Sequence, residues 1–538
     1  MAIARPEDPS PDQSWSGWGD DRLIPDLGEQ VRVLLRDALG VRSAGRPAPA
    51  LEQLSLPAPR LSAELTERLA SIVGRQHVRS SREDRVRHAG GKSTPDLLRL
   101  RKGDVSGAPD TVVWPGSHEQ VLEILRLCSS ERVAVAPFGG GTSVVGGLSP
   151  ETSAFAGSLA LDLRRLNALL ELDEQSRVAV LEPGLRGPQA ETLLEERGFT
   201  IGHHPQSFEY ATLGGFAAAR SSGQGSAGYG RFDELVVGLR VATPVGDLEL
   251  GRAPKSAAGP DLRQLFLGSE GTLGVITSLT VQIRPTPEER IYEGWRFENF
   301  AHGSQTIRRL AQDGPLPTVI RLSDEAETAV NLARPAEIGG AQSPGCLAIV
   351  GFEGGRGDVA ARRAQVARIL DRAGAAPDAE AGESWARERY RGPYLRDALL
   401  DAGALVETLE TVCFWSRIDE LYGAVSAALR ESLGAQGTQP VVLCHISHVY
   451  PAGASLYFTV ACAALEDPLE QWRAAKRAAS DAIISSGGSI SHHHGVGTDH
   501  RDWYTQEVGP LGVELVRAAK SVLDPNGILN PGILIPGA

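Results

Sequence analysis

The sequence predicts an α+β protein: a helical N-terminal region, a glycine-rich domain of mixed strands and helices, and a cap of strand-helix-strand units. Three patterns carry this. Apolar residues recur at helical spacing before residue 105, short β-rich runs alternate with helices from 106 to 288, and strand-like and helical runs alternate again from 289 to 480.

Residues 1–105 hold "GEQVRVLLRDALGV" and "SAELTERLASIVGR", both with helical apolar spacing, separated by the proline-rich "RPAPALEQLSLPAPR". The polar leader ahead of them cannot build a core by itself. Between 106 and 288, "RVAVAP", "SLALDL", "RVAVLEP", "LVVGLRVATP" and "GVITSLTVQIRP" read as strands, and "HEQVLEILRLCSS" and "PQAETLLEERG" as helices. After "IRPTPEER", the runs "YEGWRFENF", "SQTIRRLAQDG" and "LPTVIRLSD" read as strand, helix, strand, and "CLAIVGFEG" leads into the helix "GDVAARRAQVARILDRAG". Two βαβ units of this kind predict a ferredoxin-like cap over 289–480. The tail, 481–538, holds "GGSISHHHGVG", a helix near "LGVELVRAAKSVLDP", and "NGILNPGILIP".

Charge and composition exclude several functions. With 54 Lys+Arg against 67 Asp+Glu, the net charge is 54 − 67 = −13, which gives no footprint for nucleic acid. The cysteines, Cys128, Cys346, Cys413, Cys444 and Cys462, form no C-x-x-C pair and read as reduced core thiols. No apolar run approaches the roughly 18 residues that span a bilayer, the N-terminus has no apolar signal core, and "LIPGA" is not a peroxisomal tripeptide. The expectation is a cytoplasmic protein, neither secreted nor integral to a membrane.

The stretch "PFGGGTSVVGG" is chemically informative. It lacks the lysine of a P-loop, and "TSVVGG" after Gly139 and Gly141 is a poor helix start for a Rossmann fingerprint. What remains is a sharp turn or an anion nest, in which glycine N–H groups converge on a phosphate while Thr142 and Ser143 add hydroxyls. Two further small-residue stretches, "HHPQSFEYATLGGFAAARSSG" and "GPDLRQLFLGSEGTLGVIT", favour the nest and a long ligand with a central diphosphate.

Read as an extended segment, "SISHHHGVG" points His492 and His494 one way and His493 the other, with no acidic or cysteine ligand at metal spacing; no metal is expected. The imidazoles are either structural or move protons near neutral pH. Tyr457 in "GASLYFTVAC" reads as an aromatic on a half-buried strand, and Arg396 in "PYLRDALL" as a helix-surface charge.

"PFGGGTSV", "PQSFEYATLGG" and "GSEGTLGVIT" resemble the FAD signature of the vanillyl-alcohol oxidase superfamily, whose FAD domain is called PCMH-type. Together with "WSGWGD", "YPAGASLYF", "SHHHGVG" and "DPNGILNPG", they are most similar to the alkyldihydroxyacetonephosphate synthases. The resemblance implies FAD, bound non-covalently because Thr142 stands where covalently linked relatives carry histidine. It implies that FAD is lined by Pro137, Phe138, Gly139, Gly140, Gly141, Thr142 and Ser143, by Gln206, Ser207, Phe208, Glu209, Tyr210, Ala211 and Thr212, by Ala219, Arg220, Ser221 and Ser222, and by Glu270, Gly271, Thr272, Leu273, Gly274, Val275 and Ile276.

By the same resemblance, the tail completes the active site, Tyr457 transfers a proton with His492, His493 and His494 beside it, Arg396 takes a substrate phosphate, and Arg321 supports the flavin site from behind. The implied reaction exchanges the acyl chain of acyl-dihydroxyacetone phosphate for a long-chain alcohol, with flavin as electrophile and no net oxidation; the alternative is a dehydrogenase or oxidase of a 2-hydroxy acid or alcohol. A homodimer is implied too. A sixteen-carbon alcohol favours an apolar phase by about 12 kcal/mol, so an apolar tunnel and a peripheral membrane contact are expected. Three positions depart from the pattern: Gln206 replaces an aspartate, and His445 and Thr498 replace basic residues.

Overall fold

The computed structural model describes residues 4–7, 12–330, 338 and 344–537. Two sheets make the glycine-rich domain. In the first, β2 (Thr111–Val113), β4 (Gly157–Asp162) and β3 (Val133–Phe138) run parallel, and β1 (Val78–Arg79) closes the other edge antiparallel to β2. The second is antiparallel, in the order β5 (Leu169–Asp173), β6 (Val178–Leu181), β10 (Val275–Gln282), β8 (Val236–Thr243), β9 (Gly246–Leu250), with a short ribbon of β7 (Phe199–Thr200) and β11 (Arg284–Pro285) alongside. β4 is buried at every position, as a parallel strand covered on both faces must be. The helix His118–Ser130, capped by the Ser117 hydroxyl accepting from the Gln120 N–H, packs Val121, Ile124, Leu125 and Cys128 into this core. The tail returns to the same core: Ile528 and Leu529 are fully buried there, and β3 exchanges hydrogen bonds with it at Val135.

The cap is one seven-stranded antiparallel sheet, in the order β15 (Ala376–Asp378), β12 (Glu289–Phe297), β14 (Cys346–Gly354), β13 (Val319–Ser323), β17 (Val441–Val449), β18 (Gly453–Ala463), β16 (Ala404–Phe414). It differs from the expected pair of units in one respect. β14 does not open a second unit; it inserts between β12 and β13, making the first a split βαβ, and the second is built from β16, the helix Ile418–Ala435, β17 and β18 in the same order. Alternation along the strands sorts the two faces. Leu456, Phe458, Val460 and Cys462 enter the core beneath the cap helices, whereas Tyr457, Thr459 and Ala461 face a cavity against the glycine-rich domain. All five cysteines are buried and unpaired.

Candidate active site

The cavity, about 540 Å³, lies between the cap sheet and the glycine loops. Pro137 to Ser143, Gln206, Ser207, Ala211, Thr212, Ala219, Ser221, Ser222, Glu270, Gly271, Gly274, Val275 and Ile276 line it, with Tyr457, His493, His494, Arg321 and Arg396. Six of the expected cofactor residues do not. Phe208 stacks on Tyr390 at 5.6 Å, and Tyr210 turns its hydroxyl to that of Tyr394 at 3.1 Å. Arg220 donates to the carbonyls of Leu267 and Gln264, Thr272 donates to the Ser269 carbonyl, Leu273 is core, and Glu209 lies outside the lining. Alternate residues of a loop that touches a ligand point away from it, and motif matching does not see which.

The glycines are demanded by the fold as well as by a ligand. A Cβ on Gly140 would stand 2.0 Å from the Tyr210 carbonyl oxygen, and Gly141 has φ +71°, so the first loop lies flat on the second only without side chains. The result is a trough walled by backbone, which fits the diphosphate of FAD.

The histidine loop is not extended. It wraps around the buried carboxylate of Glu410, on β16, which accepts from the main-chain N–H groups of His492 (2.6 Å), His493 (3.1 Å) and His494 (2.9 Å) and from the Ser491 hydroxyl (2.8 Å). Burial alone would raise this carboxyl; the three imidazoles and the backbone donors outweigh it and hold Glu410 well below the carboxylate range. The acidic partner that local spacing failed to supply thus comes from 82 to 84 residues away.

The wrapping also gathers imidazoles. Ring nitrogens of His448, His492 and His493 lie within 4.8 Å of one another, His492 Nδ1 meets His493 Nδ1 at 2.9 Å, and His492 Nε2 meets the Tyr450 hydroxyl at 2.7 Å. His448 Nδ1 is held by Ser226 at 2.8 Å and Ser222 at 3.1 Å. Burial, and then neighbouring imidazoles, keep His448 and His492 well below the usual histidine value and push His494 down to about 3. All are neutral at pH 7 and resist protonation.

Tyr457 is sandwiched between His445 (5.0 Å, 22°) and His493 (6.1 Å, 18°), with His494 edge-on at 5.7 Å. Burial pushes its phenol up to about 12, so it does not ionise without a base in contact. His445, one of the departures, donates its Nδ1–H to the Glu327 carboxylate at 2.9 Å, and Arg321 pairs with that same carboxylate. Arg321 lines the cavity. Arg396 donates through Nε and Nη2 to Asp397 and through Nη1 to the Lys92 carbonyl, which leaves two of its five N–H groups for a ligand. Gln206 is exposed in the lining, whereas Thr498 is outside it, beside Asp499.

Sequence reasoning missed Glu410, Glu407, His448, Glu327 and Lys476. Lys476, on the helix Pro468–Ser485, is lowered by burial and feels Asp499, Glu407 and Glu410. A lysine in an amphipathic helix reads as solvated, and no local signal marks it otherwise.

Residues 109–250 match the FAD binding domain family, and 286–534 the family of FAD linked oxidases, C-terminal domain. The chain is 34% identical over 517 residues to an alkyldihydroxyacetonephosphate synthase of Dictyostelium discoideum, covering 91% of this chain and 84% of that one. The chain belongs to the alkyldihydroxyacetonephosphate synthase family. A solved structure of an alkyldihydroxyacetonephosphate synthase superposes with a TM-score of 0.82 at 29% identity, covering 97% of both chains. A p-cresol methylhydroxylase shares the fold, with a TM-score of 0.66 at 16% identity over 88% of this chain and 98% of its own. This family member is an FAD-dependent enzyme of PCMH-type architecture. No helix among the described residues is long and apolar enough to cross a membrane.

Proposed function

We propose that this family member replaces the acyl chain of acyl-dihydroxyacetone phosphate with a long-chain alcohol, forming an ether-lipid precursor without net oxidation. One observation carries the reading: the cavity joins a polar end to an apolar arm. Tyr457, His493, His494 and Arg396 stand at one end, and Val31, Leu35, Leu39, Leu399, Val406 and Val441 wall the other. A hydroxy acid has no use for such an arm; an alkyl chain fills it, at about 0.8 kcal/mol per methylene.

Bound FAD, seated on the glycine trough, supplies the electrophile. Arg396 orients the phosphate with its two free N–H groups. Neutral His493, stacked on Tyr457, accepts a proton from the Tyr457 side, while Glu410 keeps the rings of His493 and His494 in place through their main-chain N–H groups. The buried wall of the cap sheet excludes water that would hydrolyse the ester. The chain is further proposed to act as a homodimer, as the family resemblance implies, and in peripheral contact with a membrane, because its substrates partition there.

The test is incorporation of labelled hexadecanol into palmitoyl-dihydroxyacetone phosphate under anaerobic conditions with no electron acceptor. Labelled ether, lost in Tyr457→Phe with FAD retained, is the expected result. Turnover only when an acceptor is added would overturn the reading in favour of a dehydrogenase.

A further inference from the structure

We propose that the N-terminal segment Gln13–Gly19 belongs to the active site: Trp18 is a substrate contact, and the strap that carries it positions Arg396. This rests on Arg396 as the phosphate residue of the proposed reaction.

The segment bridges the two domains beside the cavity, which Trp18 lines. At one end Gln13 Nε2 donates to the carbonyl of Gly140, in the first glycine loop, at 2.5 Å. At the other, the Trp18 main-chain N–H donates to Asp397 Oδ2 at 2.5 Å. The other oxygen of Asp397 accepts Nε and Nη2 of Arg396 at 3.0 and 2.9 Å, and the Asp397 side chain is fully buried. The circuit closes through Lys92. Its carbonyl accepts Arg396 Nη1, its ammonium donates to the Ser14 carbonyl, and its N–H donates to the Ser143 carbonyl. Arg87 and Arg101 grip the carbonyls of Gln13 and Ser16. A guanidinium tied at three N–H groups has one orientation, and the strap holds both of its anchors, Asp397 through the Trp18 N–H and Lys92 through the Ser14 carbonyl.

The indole gives the second, independent observation. Trp18 lines the cavity, is 4% exposed, and packs edge-on against Tyr210 at 5.9 Å. Its Nε1–H is buried without an acceptor among the described residues. A buried indole N–H normally finds one. An oxyanion seated on the free N–H groups of Arg396 supplies it.

Gly19 makes the strap testable. It has φ +56°, and a Cβ there would stand 2.3 Å from the Tyr394 hydroxyl, so Gly19→Val cannot seat the strap. The experiment titrates holoenzyme with dihydroxyacetone phosphate and, separately, with dihydroxyacetone, reading the flavin absorbance. Trp18→Phe, which keeps an aromatic ring but loses the N–H, is expected to weaken the phosphate-bearing probe at least fivefold and the neutral one by less than twofold. Gly19→Val is expected to weaken it tenfold or more, and no further when combined with Arg396→Lys. Gln13→Leu serves if Gly19→Val yields no holoenzyme.

Wild-type binding of dihydroxyacetone phosphate by Trp18→Phe and Gly19→Val, with Arg396→Lys impaired, overturns the strap proposal and spares the phosphate reading. Equal losses for both probes reduce the strap to a structural element and overturn it too. If Arg396→Lys itself binds both probes like wild type, the phosphate reading falls and takes this proposal with it.

Discussion

Replacing Glu410 by glutamine tests the centre of the site. The carboxylate accepts four hydrogen bonds, three at Oε1 (the Ser491 hydroxyl and the N–H groups of His493 and His494) and one at Oε2 from the His492 N–H. Glutamine has one acceptor oxygen. Placed at the Oε1 position it keeps three bonds and sets its NH2 against the His492 N–H, donor to donor. The lost charge-assisted bond costs about 1.5–3 kcal/mol, and removing the charge weakens the other three, for about 3–5 kcal/mol in all.

Because His493 and His494 ride on those bonds, kcat should fall about a hundredfold, as expected when reacting groups move by about 1 Å. Urea unfolding of the holoenzyme measures the stability, and anaerobic ether formation the rate. A variant within about 0.5 kcal/mol of wild type and within twofold in kcat would refute the claim that Glu410 holds the loop. Ser491→Ala, which removes one of the four, is expected to cost about 1.5–3 kcal/mol and gives the scale.

Acid should destabilise the fold early. His203, His448 and His492 lie well below their ordinary value and His494 and His500 at about 3, so below the unfolded-state value near 6.5 the unfolded chain binds more protons. Stability then falls as pH drops from about 6.5, by up to about 1.4 kcal/mol per pH unit for each group, and urea midpoints flat between pH 7.5 and 5 would contradict this. Gly140→Ala drives a methyl into the Tyr210 carbonyl and should purify largely without flavin, which the ratio of flavin to protein absorbance reads directly. Leu35→Trp shortens the apolar arm; the preferred alcohol should become shorter by several carbons, at about fourfold in kcat/KM per methylene, with kcat for the best substrate little changed.

The sequence by itself determined what depends on residues adjacent in the chain. The bare backbone of Gly139 to Gly141, the strand and helix periods, and the likeness of "SHHHGVG" to its family are all contiguous, and local conformation is enough to express them. The tertiary structure decided what depends on meeting across the chain. Glu410 looks like any strand glutamate until the loop 82 to 84 residues later closes on it. The leader, which has no core of its own, becomes ordered by burying Trp18 against Tyr210 and Tyr394. Lys476 and Asp397 lie on helices whose buried faces are otherwise mostly apolar, so nothing local marks them. β14 completes the first cap unit instead of opening the second because strand order follows pairing energy, not position in the chain. A buried carboxylate or lysine differs from a solvated one only in its surroundings, and those are assembled by folding.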